Sequence, residues 1–450
     1  MNIIGLDIGT TTICAVVTDS VTGKVLRSVT EPNDTFIESS ARYERIQSPA
    51  LILAKCSDIV ERLAAEFDPI ACIGVTGQMH GILYCDKNGC AVSPLYIWQD
   101  ESGNERFDKF RSYAAFLSEE TGYKMASGFG CTTYFFHTKT NAVPQNSACF
   151  CTIHDYVAMR LSGRAAPLVH VSDAASFGLF DLDALRFDMQ AAEKVGIDTS
   201  LFPEITSDFE VLGYYAGATP VSVAVGDNQA SFLGSVRDTS AGMLINLGTG
   251  GQISFMTDRT KDAGLEIRPC YGKNYLCVGS SLCGGRAFAL LADFLRCAAE
   301  FVTGEEIKSA YPAIDSFLSS DPVLYDPVKV STRFAGTREH PSERASITNL
   351  GINNFTPRHL ILGVLEGMAD ELISMYMSSD HGGTHTSIVG SGNGLRKNPA
   401  LCRLLEERFR MKLYVPAHRE EAAFGAALAG MAAAGIKDSV EKAQELIAYE

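Results

Sequence analysis

The stretch NIIGLDIGTTTICAVV, Asn2 to Val17, constrains this chain most. Apolar residues lead to Asp7, a Gly-Thr-Thr-Thr turn follows, and a second apolar run begins at Ile13. The pattern predicts two antiparallel strands joined by a turn, with a carboxylate at the end of a buried strand. A strand has no need of an acid there. A phosphate and its metal do. Turn N–H groups with the Thr10, Thr11 and Thr12 hydroxyls beside them can cradle phosphate oxygens. Asp7 can hold Mg²⁺, directly or through water, because hard cations take oxygen ligands. Ordinary β-turns are also rich in Gly and Thr, so one such turn is weak evidence. The layout returns in AGMLINLGTGGQIS, Ala241 to Ser254, with Gly248, Thr249, Gly250 and Gly251 in the turn.

Between and after these hairpins the sequence alternates strands and helices. Short strands are expected at Ile3–Asp7, Thr12–Thr18, Lys24–Val29, Ile70–Thr76 and Leu83–Asp86. A helix is expected from Ser48 to Phe67, with Pro49 just inside its start. Later helices are expected over Gly284–Phe301, from the Thr356-Pro357 cap to about Met377, and from Asn398-Pro399 through Phe409. Ser387 to Val389 reads as a strand leading into GSGNG. The fold class is therefore α/β, in two halves that each begin with a hairpin turn. The boundary is placed in the linker-like GSVRDTSAG, giving domains 1–235 and 236–450.

Composition narrows the class of partner. The 450 residues carry a net charge of −15 without a basic run, which argues against nucleic acid. A local site can still be positive and take a small anion. The longest small-apolar run, Ala422 to Gly435, is interrupted by glycines and too short to span a bilayer. No signal peptide is read at Met1, so a cytoplasmic protein is expected. The 13 cysteines are odd in number and form no C-x-x-C pair, which favours free thiols in a reducing compartment.

Four sets of residues can carry chemistry. The two hairpin turns form the first set. In VAVGDNQASFLGS, a buried strand delivers Asp227 to the start of a helix. A carboxylate there can take a proton from an attacking hydroxyl, and capping the helix is compatible with that role. In GVTGQMHGILY, Gln78, Met79 and His80 stand between glycines, and the polar pair suits a polyhydroxylated ligand. Asp100 follows in LYIWQD, whose Trp98 alone reads as a core residue. In SIVGSGNGLRKNP, Gly390, Ser391, Gly392 and Asn393 lie between a strand and a helix, where backbone can pass close to a nucleotide. The chain contains neither G-x-G-x-x-G nor a Walker P-loop.

Taken in order, Asp7-Ile-Gly-Thr-Thr11, Gly77-Gln-Met-His-Gly81, Trp98-Gln-Asp100, Gly226-Asp-Asn228, Leu247-Gly-Thr-Gly-Gly251 and Gly390-Ser-Gly-Asn-Gly394 resemble the FGGY family of carbohydrate kinases, over nearly the whole chain. That family belongs to the actin/hexokinase/Hsp70 superfamily. The resemblance implies two ribonuclease-H-like (actin-like ATPase) domains with an interdomain cleft, sugar on the N-terminal side and MgATP on the C-terminal side. It implies Asp227 as general base, Asp7 with Thr10 to Thr12 as first phosphate loop and metal-linked acid, and Gly248 to Gly251 as second phosphate loop. Gly390 to Asn393 then lie on the adenosine side, and Gln78, Met79, His80 and Asp100, with Asp227, at the sugar. Gln-Met-His resembles the ketose kinases for xylulose and sedoheptulose, and AVSPLYIWQD, CTIHDYVAMRLSG and SDAASFGLFDL resemble sedoheptulokinases. Two departures stand out: Ser102 where many relatives have Arg, and Gly250 where the loop often has Ser. The implied activity is ATP- and Mg²⁺-dependent phosphorylation of a ketose at a terminal hydroxyl. A xylulokinase, a kinase for another polyol, and a non-catalytic ATP- or sugar-binding regulator are the alternatives. The sequence does not decide the oligomeric state.

Overall fold

The structure is a computed structural model that describes residues 1–337, 340, 342–380 and 383–450. The chain divides into two compact units. The first holds Met1–Arg237, Arg268–Leu276 and Glu420–Ala448; the second holds Asp238–Ile267, Cys277–Arg419 and Tyr449–Glu450. A contiguous division at 235/236 does not include the two later segments that join the first unit.

The first unit is built on a mixed sheet. Strands β1 (Asn2–Ile8), β2 (Thr12–Asp19) and β3 (Val25–Pro32) form the expected antiparallel meander. The 18-residue helix α1 (Pro49–Glu66) follows, with the Ser48 side chain accepting the Leu51 N–H at its start. It returns the chain so that β4 (Ile70–Gly77) pairs with β1 in parallel. Helices α2 (Ile153–Leu161) and α3 (Val171–Ser176) come later in the chain. The hairpin β5 (Val211–Tyr215) and β6 (Thr219–Ser222) extends the sheet, and the short β7 (Val225–Gly226) also pairs with β4 in parallel. Helix α4 (Asp227–Ser235) starts directly from β7. Ile4, Leu6, Ile73 and Val75 are buried in a core that continues under α1 through Ile52, Cys56 and Ile59.

The second unit repeats the theme. Strands β8 (Gly242–Leu247) and β9 (Gly251–Thr257) are an antiparallel hairpin. In the same sheet order β9 is followed by β11 (Asn274–Ser281) and then β10 (Glu266–Tyr271), and of this stretch Arg268–Leu276 is assigned to the first unit. Helices α5 (Gly284–Thr303) and α6 (Pro357–Ser378) follow, α6 capped by Thr356 as expected. Strand β12 (Ser387–Ser391) pairs with β8 in parallel. Helix α7 (Pro399–Phe409) is capped by Asn398, and β13 (Lys412–Tyr414) pairs with β12.

The small-apolar run becomes helix α8 (Glu421–Ala433), which belongs to the first unit. It lies so close to the first sheet that a Cβ on Gly74 would stand 1.8 Å from the Ala426 carbonyl oxygen. Small side chains are therefore a packing requirement at this helix–sheet contact. Among the described residues no helix is long and apolar enough to cross a membrane. All thirteen cysteines stand as thiols.

Candidate active site

Strand register gathers the first set of site residues. Ile8 of β1 and Gly226 of β7 both pair with Gly77 of β4. Three adjacent parallel strands thus end at the same level. The next residues are the Gly9 turn, Gln78-Met79-His80 and Asp227. The carboxyl ends of parallel strands are where open α/β sheets bind ligands.

The first turn is held from several sides. The Ile8 carbonyl accepts the Gln78 N–H at 3.0 Å, and Gly9 accepts from Asn33 Nδ2 at 2.8 Å. Thr10 accepts from Gln47 Nε2 at 2.9 Å, and Thr11 from the Asn33 N–H at 2.8 Å. Engaging these carbonyls removes acceptors that would repel an anion. Thr11 and Thr12 are exposed. Thr10 is committed differently: its hydroxyl donates to Gln78 Oε1 at 3.0 Å and accepts from Trp98 Nε1 at 3.0 Å. Gln78 Nε2 in turn donates to Gln47 Oε1 at 2.9 Å. Thr10, Gln47 and Gln78 close a ring that joins the turn to the next strand end. Trp98 belongs to this network and is 47% exposed, so the core reading of it is corrected. Gln47 and Asn33, both buried, had no sequence signal.

Met79 and His80 sit against Asp227's strand and its neighbour helix. A Cβ on Gly226 would be 2.7 Å from Met79 Sδ. The backbone of His80 is left-handed, with φ 72°, a conformation rarely adopted by a side-chain-bearing residue outside functional or over-determined positions. Ser176 at the end of α3 over-determines it. Its hydroxyl accepts the His80 N–H at 3.0 Å, and its carbonyl lies 2.8 Å from Nδ1. The His80 ring stacks on Phe129 with centroids 4.8 Å apart. A carbonyl facing Nδ1 fixes the proton there and makes Nε2 the acceptor nitrogen.

Asp100 is turned toward its own loop. It is 1% exposed, and its oxygens accept the Ser102 N–H at 3.0 Å and the Arg45 N–H at 3.2 Å. Burial pushes its carboxyl up while these donors pull it back.

The acids at the strand ends are perturbed together. Burial, then the charges of Asp227 and Glu420, push the Asp7 carboxyl up to about 7. Its Oδ1 is buried without a hydrogen-bond partner although part of the side chain reaches the surface. An orphaned hard oxygen beside a turn whose carbonyls are engaged fits a Mg²⁺ ligand. Asp227 is half-buried, and burial raises its carboxyl. His154, the Asn228 N–H and Arg268 pull it down. Arg268 comes from the later segment that joins this unit and lies 3.3 Å from Asn228 Oδ1. Beneath Asp227, His154, Asp155 and Asp173 place one potential ligand atom each within 4.8 Å of one another.

In the second unit the register of β8 and β12 pairs Asn246 with Ser391. The turn at Gly248–Gly251 and the stretch Gly390–Asn393 therefore emerge side by side. Gly392 has φ 82°, and a Cβ there would be 2.7 Å from the Leu247 carbonyl oxygen. Gly248, Thr249 and Asn393 are exposed, and Ser391 is buried. The N-terminus of α5 braces the turn from behind. The Gly285 N–H donates to Gly248 at 3.0 Å and the Arg286 N–H to Thr249 at 3.1 Å.

The chain matches the FGGY family of carbohydrate kinases, N-terminal domain, over residues 2–244, and the C-terminal domain of that family over residues 243–434. It belongs to this family. The kinase is 26% identical to mouse sedoheptulokinase over 94% of its own length and 96% of that protein. It is 25% identical to a glycerol kinase of Bacillus velezensis over 98% of its own length and 92% of that protein. A ligand-bound xylulose kinase from Lactobacillus acidophilus superposes with a TM-score of 0.83, at 19% identity, over 100% of this chain and 92% of that one, which shows a shared fold. The protein is an ATP-dependent carbohydrate kinase, acting on a small sugar or polyol.

Proposed function

We propose that this kinase phosphorylates a ketose at a terminal hydroxyl, with sedoheptulose the favoured acceptor. The convergence of the Asp7 turn, Gln78–His80 and Asp227 at one level of three parallel strands carries the reading. Likeness to the mouse and human sedoheptulokinases supports the choice of sugar, as do the Gln-Met-His stretch and its neighbours. The family uses ATP with Mg²⁺. Asp7 is the residue that would hold the metal, whose charge would neutralise phosphate oxygens.

Asp227 accepts the proton of the attacking hydroxyl, and its partial exposure lets a substrate reach it. His80 Nε2 accepts a hydrogen bond from a sugar hydroxyl, held in direction by Ser176 and Phe129. Gln78 has one N–H beyond the bond to Gln47 and offers it to the same ligand. Met79 supplies an apolar wall beside Gly226. Asp100 contributes by fixing the loop at the sugar, since both its oxygens already accept backbone N–H groups. Thr11, Thr12 and the turn backbone meet phosphate in the first unit, and Gly248–Gly251 in the second. Gly390–Asn393 lie along the adenosine. Positioning and electrostatics supply most of the acceleration in phosphoryl transfer.

The test is ADP release with MgATP across sedoheptulose, D-xylulose, L-ribulose, fructose, glycerol and gluconate. A response to sedoheptulose above the others supports the full reading. A response confined to xylulose or glycerol keeps the kinase and replaces the sugar. ATP binding with no release on any sugar sinks the ketose proposal.

A further inference from the structure

Three buried side chains of the first unit take no direct part in phosphoryl transfer. His154 and Asp155 lie in the first turn of α2, and Asp173 in the first turn of α3. His154 and Asp173 are 0% exposed, and Asp155 is 1% exposed. Among the described residues, one ligand atom from each lies within 4.8 Å of the other two. Buried acids are ordinarily satisfied by donors. Here one oxygen is: Asp155 Oδ2 accepts the Thr152 hydroxyl at 2.6 Å in the α2 capping box. Asp155 Oδ1, both oxygens of Asp173 and both ring nitrogens of His154 lack a hydrogen-bond partner. The imidazole is an orphan in its own right, and it is aimed into the acids. Its Nε2 stands 2.9 Å from Asp173 Oδ1, off the line of a hydrogen bond.

Orphaned polar atoms in a protein interior are costly. A proton seated between Nε2 and Oδ1 would satisfy two of them and leave Asp173 Oδ2 and Asp155 Oδ1 as they are. A divalent ion meets four, taking one ring nitrogen, Asp155 Oδ1 and the two oxygens of Asp173, and its charge balances both carboxylates. The spacing agrees: two atoms bound to one ion at about 2.1 Å, at right angles, stand about 3 Å apart. Burial favours the neutral imidazole, which is the form that ligates a metal. The backbone behind the ligands is already fixed. Ser172, next to Asp173, accepts the Gly226 N–H at 3.0 Å. The His154 Cβ lies 3.1 Å from where a Cβ on Gly77 would stand. The Thr152 hydroxyl sets the direction of the Asp155 carboxylate.

We infer that His154, Asp155 and Asp173 form a structural site for one divalent transition ion, Zn²⁺ or Mn²⁺, which ties the start of α2 to the start of α3. An imidazole ligand selects against Mg²⁺ and Ca²⁺, and the lack of thiolate selects against softer ions. The site is separate from Asp7, which offers oxygen alone. Helix α3 has 6 residues, too few to hold their own shape. The ion anchors its first turn, and its last residue, Ser176, fixes His80.

The test is metal analysis of the tag-free protein, purified without nucleotide, Mg²⁺ or chelator. About one Zn²⁺ or Mn²⁺ per chain is expected. His154→Leu and Asp173→Asn are expected to lose it, and Asp7→Asn to keep it. Thermal melts identify a variant that fails to fold, and two measurements on the wild type then carry the comparison. X-ray absorption should show nitrogen and oxygen neighbours at about 2.0–2.2 Å and no sulfur at about 2.3 Å. Wild type refolded from urea with ZnCl₂ or MnCl₂ should melt several degrees above wild type refolded with a chelator. A metal-free wild type that melts at the same temperature either way overturns the site. So does an ion that both variants keep. Sulfur neighbours would place the ion on the thiols and overturn it as well. Occupancy is read without sugar or nucleotide, so the result stands apart from the roles of Asp227 and His80.

Discussion

The two hairpin turns have the same backbone plan and different chemical content. Each links antiparallel strands, and each has a parallel strand beside it that ends at the same level. Around the first turn stand Asp7, Asp227, Asp173, His154, Arg268 and a ring of amides. Around the second stand Gly248, Gly250, Gly251, Gly284, Gly285, Gly390 and Gly392, with Thr249, Ser391 and Asn393. Under the proposed roles, one plan serves proton chemistry through side chains in one unit and close backbone approach in the other. Mutations should divide along the same line: side-chain charge in the first unit, backbone clearance in the second.

The largest effect is expected at Asp227. Asp227→Ala should lower kcat on the order of 10³- to 10⁴-fold while leaving ATP binding nearly unchanged, because the proposed base acts on the acceptor. Turnover within a few-fold of wild type would remove the acid–base character assigned to the first unit. In the second unit the matching change adds only a methyl group. A Cβ on Gly284 would lie 2.4 Å from the carbonyl and amide backbone of Gly250 and Gly251, so Gly284→Ala must displace the turn. The expected loss is on the order of 10- to 100-fold in kcat/KM for ATP, with sugar binding measured by calorimetry unaltered. An unchanged ATP requirement would show that the second turn does not need its present position.

His80→Ala tests the proposed sugar contact of the first unit. Losing one acceptor held in direction should lower kcat/KM for the sugar by about tenfold, roughly one hydrogen bond, and leave the ATP requirement alone. The opposite pattern would move His80 to the nucleotide.

Much of the local structure could be read from the sequence because its causes are local. Ser48 and Pro49, Thr356 and Pro357, and Asn398 and Pro399 start helices where caps and proline act on neighbouring N–H groups. Asp7, Gln78–His80, Asp227, Gly248–Gly251 and Gly390–Asn393 fall at strand ends because apolar runs stop there. The support behind them was not legible. Gln47 reaches Thr10 across 37 positions, Ser176 reaches His80 across 96, and Arg268 nears Asn228 across 40. Each is an ordinary polar residue until the fold closes. The helix from Glu421 to Ala433 shows the same limit. The sequence shows a small-apolar run too short to span a bilayer, and only the Gly74–Ala426 approach says which sheet it covers.

The smallest expected effect concerns stability, and it separates the two turns without any assay of turnover. The Asp7 carboxyl is raised from 3.8 to about 7 in the folded chain. A folded-state value above the unfolded one means that the neutral form is favoured on folding. The contribution is therefore complete below pH 4 and is lost as the pH rises to 7. The full shift corresponds to at most roughly 4 kcal/mol, and solvent at the exposed part of the side chain reduces it to about 1–2 kcal/mol. Asp7→Asn cannot ionise. Without metal or nucleotide it should be more stable than wild type by that margin at pH 8 and equal to it at pH 4, by urea titration. Mg²⁺ with nucleotide should then narrow the gap at pH 8, because a ligand that needs the ionised carboxylate stabilises only the wild type. No comparable pH-dependent gain is expected from Gly250→Ala, since that turn places no carboxylate of its own at the strand end. Equal stability of Asp7→Asn and wild type at pH 8 would mean that the first turn bears no electrostatic strain, and the contrast between the two units would reduce to backbone shape.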